Sequence, residues 1–93
     1  MSATLAEDII PAFRPGAKFR FDAVRKAWVV LAPERLFVPD EPAVAVLQLV
    51  DGKRSLGAIV DDLAARFDAP RPVIAEDVAT MLTDLAAKGA IRL

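Results

Sequence analysis

Between Ala17 and Asp22 the side chains alternate, with Phe19 and Phe21 on one side of the chain and Lys18, Arg20 and Asp22 on the other. A period of two is the signature of a half-buried strand. The next apolar run, Trp28 to Leu31, has the aromatic and β-branched content of a second strand, and Ala23 to Lys26 is polar enough for the hairpin loop between them. The chain breaks at Ala32-Pro33 and resumes as Arg35 to Val38, a third strand after a tight turn. Connections this short leave no room for a crossover, so the strands are expected to form an antiparallel meander.

After Asp40 the period changes to that of helices. Asp40 caps the first, with Glu41 and Pro42 in the opening turn, an AVAVLQLV body that is apolar nearly all round, and Asp51-Gly52 as its stop. Ser55 caps the second, which gathers Leu56, Ile59, Val60, Leu63 and Phe67 on one stripe and turns Asp61, Asp62 and Arg66 away. The third runs from near Pro72 to Lys88, stops at Gly89, and has Ile74, Val78, Met81, Leu82 and Leu85 as its inner stripe. Ile91 and Leu93 are placed on a last short strand over the end of the core. The expected fold class is therefore α+β and winged helix-turn-helix-like: a three-stranded antiparallel meander followed by three helices. Residues 1–14, punctuated by Pro11, read as a flexible N-terminal tail, and residues 15–93 as a single domain.

At 93 residues the chain supports one core and little more. It contains no Cys and no His, which removes disulfides, thiolate metal sites and cysteine nucleophiles. The first ten residues lack a basic leader and carry Glu7 and Asp8, and the densest apolar run, Ala43 to Val50, is far shorter than the roughly 20 residues of a bilayer span. The expectation is a cytoplasmic protein with no membrane association. A hydrophobic fraction of 55% and a mean hydropathy of +0.37 imply either an exposed apolar patch that receives a partner or alanine inflating the figure.

Few residues carry chemistry. Ser55 has no His to activate it and stands where a cap is wanted; Asp61 and Asp62 point into neighbouring sectors of a solvated face; Glu76, Asp77 and Asp84 lack a loop to complete a hard-cation site. No glycine-rich phosphate loop is present. No catalytic residue, metal or cofactor is expected, and the chain reads as a binding module, not an enzyme. A DNA-binding winged helix, and hence a transcription factor, is the alternative from another class. Against it stand a net charge of −1, a pI near 5.3, and a third helix with Glu76, Asp77 and Asp84 against Lys88, so no nucleic-acid partner is expected.

The third strand has one neighbour in the meander, which leaves alternate backbone groups between Glu34 and Val38 without partners. Such an edge takes up an extended peptide as an added strand, unless the third helix or a second copy of the chain covers it; a homodimer is the form the last option takes.

The runs LAPER at Leu31 to Arg35, AVAVLQLVDG at Ala43 to Gly52, and SLGAIVDDLAARF at Ser55 to Phe67 closely resemble the PqqD family of pyroloquinoline quinone biosynthesis, a family of precursor-peptide recognition elements. The likeness runs from about Pro15 to the end. It implies a peptide chaperone that binds the ribosomal precursor peptide PqqA and presents it to the radical S-adenosylmethionine enzyme PqqE, which links a glutamate to a tyrosine in it. It also implies a peptide cleft between the third strand and the third helix, bounded here by Arg35, Leu36, Phe37 and Val38 on one side and Ile74, Asp77, Val78 and Met81 on the other. A leader-peptide-binding domain of another peptide-modifying system is the alternative with the same fold. One departure is Pro39, where the family has Leu. Proline cannot donate a hydrogen bond, so the pairing edge is expected to be one residue shorter.

Overall fold

The computed structural model describes residues 5–93. Its elements in order are β1 (Ala12–Phe13), β2 (Lys18–Asp22), β3 (Ala27–Ala32), β4 (Arg35–Phe37), α1 (Glu41–Leu47), α2 (Leu56–Arg66), α3 (Arg71–Ala87) and β5 (Ile91–Arg92). The expected meander is the sheet β2-β3-β4, so its third strand is β4. Phe19 stands opposite Val30, and Val30 opposite Phe37, in one row that faces the helices. Each hairpin has a local cause. Asp22 Oδ1 accepts the amides of Val24 at 2.9 Å and Arg25 at 3.2 Å, with Lys26 at φ 55 completing the first turn, and Pro33-Glu34 makes a two-residue second turn.

The helices start where side chains cap them. Asp40 Oδ1 accepts the Ala43 amide at 3.0 Å and Ser55 Oγ accepts that of Ala58 at 3.1 Å. α1 stops earlier than its apolar run suggests. After Leu47 the amides of Leu49 and Val50 bond three residues back, to Val46 and Leu47, and this tighter turn keeps both side chains buried while the chain changes direction. Between them the elements bury Val30, Leu47, Ile59, Val60, Leu82 and Ile91 almost completely.

Residues 5–14, expected as part of a loose tail, are docked in the structure; Met1 to Thr4 lie outside the described residues. β1 pairs antiparallel with β5, Ala12 opposite Arg92 and Phe13 opposite Ile91. Leu5, Ile9 and Phe13 pack on the core, and the carbonyls of Ile9 and Glu7 accept the amides of Leu56 and Gly57 at the start of α2. Those two amides are among the donors a helix leaves without internal partners, so the arm completes α2 as well as covering the core.

Candidate functional site

Along α3, Ile74, Asp77, Val78, Met81, Asp84 and Leu85 recur at spacings of three and four and form one wall of a groove. Pro39, Asp40, Pro42, Ala43 and Val46, from the end of the meander and from α1, face them. The buried Val30, Leu47 and Leu63 and the half-exposed Phe67 complete the lining, and the open groove has a volume of about 620 Å³. The walls are overwhelmingly apolar, which suits a groove that holds side chains.

All four helix residues expected to bound a cleft, Ile74, Asp77, Val78 and Met81, line this groove. The strand residues Arg35, Leu36, Phe37 and Val38 do not line the cavity; they form the edge that leads into it through Pro39 and Asp40. Phe37 turns toward the core, Leu36 and Val38 are 41% and 59% exposed, and Arg35 is exposed at the turn. At the far end of α3 Lys88 Nζ stands 5.9 Å from the centre of the Phe37 ring, so strand edge and helix end are within side-chain reach of each other.

The register decides which backbone groups of β4 are free. In a two-residue hairpin the flanking pair, Ala32 and Arg35, exchanges both backbone hydrogen bonds, and alternation then gives the next such pair to Val30 and Phe37. The amide and carbonyl of Leu36, and by the same parity the amide of Val38, point away from β3. Pro39 has the parity of Arg35 and Phe37. The donor it lacks is one that would face β3, so the expected shortening of the pairing edge does not follow.

Among the described residues three ionisable side chains line the groove, Asp40, Asp77 and Asp84, and Asp84 is already held by Lys88 at 2.8 Å. Asp61, expected on a solvated face, accepts from Arg71 Nε at 2.8 Å, and Arg71 also holds Glu7.

Two parts of the site escape a reading by period. Phe67 continues the α2 stripe in sequence, but the helix ends at Arg66 and Phe67 is extended (φ −111, ψ 141), which leaves it 48% exposed in the groove lining. The α1 contribution is hidden for the opposite reason. A helix apolar nearly all round gives no sign of which side is core and which is groove.

A model of the family described as Coenzyme PQQ synthesis protein D (PqqD) matches residues 27–91. The PqqA binding protein of Rhodopseudomonas palustris (strain BisB5) is 52% identical over 86 residues, 92% of this chain and 84% of that protein. The PqqA binding protein of Gluconobacter oxydans (strain 621H) is 44% identical over 87 residues, 94% and 91% of the two chains. Among solved structures, the PqqD truncation of Methylobacterium extorquens PqqCD, described as a functional and stand-alone recognition element for ribosomally synthesized and post-translationally modified peptides, superposes with a TM-score of 0.80 at 38% identity, over 98% of this chain and 97% of that one. PqqD from Xanthomonas campestris gives 0.60 at 42% identity, over 97% and 100%. Lasso peptide synthetase B1, solved with its leader peptide, shares the fold at a TM-score of 0.78 and 16% identity, over 91% and 100%.

Proposed function

Because the chain belongs to the PqqD family, we propose that it is a peptide chaperone of pyrroloquinoline quinone biosynthesis that binds the precursor peptide PqqA on the edge of β4 and in the groove beside α3, and presents it to the radical enzyme PqqE in the cytoplasm. The observation that carries the site is the juxtaposition of a free strand edge, with the Leu36 amide and carbonyl turned outward, and an apolar groove whose wall contains Ile74, Asp77, Val78 and Met81. Arg35, Leu36, Phe37 and Val38 supply the edge to which the peptide adds as a strand.

Each backbone hydrogen bond of an added strand contributes about 0.5 to 1.5 kcal/mol net. Apolar peptide side chains in the groove add about 25 cal/mol for each Å² removed from water. Ordering the peptide offsets much of this, which puts the dissociation constant on the order of micromolar or somewhat tighter. Tethering then raises the peptide's effective concentration at the enzyme, and this step asks no chemistry of the chaperone.

Titration of isotope-labelled protein with synthetic PqqA, followed residue by residue by NMR, tests the site. The largest changes are expected at Leu36, Val38, Ile74, Asp77, Val78 and Met81. Changes concentrated on the β2–β3 hairpin would overturn it. Adding the chain to PqqE and PqqA tests the role: it should promote modification of the peptide and modify nothing in the enzyme's absence.

A further inference from the structure

Among the described residues, every ionisable side chain lining the groove is a carboxylate, although the chain as a whole carries a net charge of only −1. The sign is thus a property of the groove, not of the composition. The three are not equally available. Asp84 is neutralised by Lys88 at 2.8 Å, and Asp40 spends one oxygen on the Ala43 amide at 3.0 Å. Asp77 has no ion-pair partner among the described residues. It stands on the groove face of α3 between Ile74 and Met81, with Val78 beside it.

That pattern fits one kind of peptide side chain. A long basic residue has an aliphatic stem that lies on apolar surface and a charged head that stays near water or a carboxylate. We propose that the groove selects a peptide segment with a Lys or Arg whose stem packs on Ile74, Val78 and Met81 and whose head pairs with Asp77, with Asp40 adding negative potential from the facing wall. An acidic peptide residue at the same place meets two carboxylates and is rejected, so the groove specifies by repulsion as well as by attraction. The proposal rests on the reading that this groove holds the precursor peptide, and it adds which side chain the groove reads.

The test is a peptide series crossed with protein variants. Each Lys and Arg of synthetic PqqA is replaced in turn by norleucine and by Glu, and each peptide is titrated calorimetrically against the wild-type chain, Asp77→Asn and Asp77→Lys. Asp77 is exposed, and thermal melts of each variant serve as the check on folding. At one basic position norleucine should weaken binding to wild type by about three- to fivefold, the scale of an exposed charge pair. Glu should weaken it further. The norleucine loss should disappear on Asp77→Asn, and the Glu peptide should recover on Asp77→Lys. If Asp77→Asn ranks every peptide as wild type does, charge selection is wrong and peptide recognition stands. If unmodified PqqA fails to bind the wild-type chain, the recognition reading falls and this inference with it.

Discussion

Arg71 and Glu7, 64 residues apart in sequence, form a two-pronged ion pair in which Nη1 donates to Oε2 at 3.0 Å and Nη2 to Oε1 at 2.7 Å. The same guanidinium gives its Nε to Asp61, so one side chain joins the N-terminal arm, α2 and α3. Directly beneath, Gly57 lets the arm lie close. A Cβ there would stand 3.2 Å from Glu7 Cβ and 3.3 Å from its carbonyl oxygen.

The first prediction concerns this clamp. Hydrogen bonds from Arg71 hold the Glu7 carboxyl below its ordinary value of 4.5. A carboxyl with a lowered folded value stabilises the fold fully above its unfolded value and loses that contribution as pH falls through the folded one. The melting temperature of Glu7→Gln should therefore lie below that of wild type above pH 4.5, and the gap should close on further acidification. Near neutral pH the amide shifts of Leu56 and Gly57, whose acceptors are in the arm, should move toward coil values in the variant.

The second prediction separates the two sides of β4. Leu36→Pro removes an outward donor and should lower peptide affinity by about tenfold or more, the loss of one backbone hydrogen bond with displacement of its neighbours, while unfolding midpoints change little. Phe37→Pro removes the donor to Val30 and leaves that carbonyl unpaired, costing about 1 to 3 kcal/mol before the lost packing of the ring is counted. Urea melts and peptide titrations read the two effects separately. Equal loss of affinity in both variants at matched stability would rule out strand addition.

A third prediction follows from the neighbours Met81 and Leu82. Met81 is partly exposed in the groove wall and Leu82 is fully buried. Leu82→Ala should destabilise the fold by about 2 to 5 kcal/mol. Met81→Ala should cost less than about 1 kcal/mol of stability, because its side chain is only partly removed from water, and weaken peptide binding several-fold.

Pro39→Leu supplies the fourth. The new amide has the parity that faces β3, so it adds no donor to the free edge. Peptide affinity should stay within about twofold of wild type, since no backbone bond to the peptide is gained. A gain of tenfold or more would place an outward donor at residue 39 and contradict the register.

Local causes made much of this fold legible in the sequence. The alternation of Phe19 and Phe21, the Asx turn at Asp22, and the caps at Asp40 and Ser55 act within a few residues of where they are read. The helical half of the groove was legible only through the family resemblance, since the period puts Ile74, Val78 and Met81 on one face of a helix without saying whether that face meets core or cleft. The arm was not. Its two-residue strand pairs with β5 at the other end of the chain, and its anchor is a charge pair between residues 7 and 71, neither of which leaves a local period. The parity of β4 likewise depends on which pair closes the hairpin, a property of the paired ladder and not of the strand alone.

The edge of β4 is also bounded in a way that matters for solubility. An unpaired edge that accepts a guest strand is equally open to other copies of the same chain, and long flat edges seed fibres. Here the strand is three residues long, with Pro33 before it and Pro39 after it, and Glu34 and Arg35 put charge at its entrance. Neither proline can donate toward β3, so neither prolongs the β3–β4 ladder, and the ordered strand stays three residues long. A strand that short offers other copies of the chain little edge on which to polymerise.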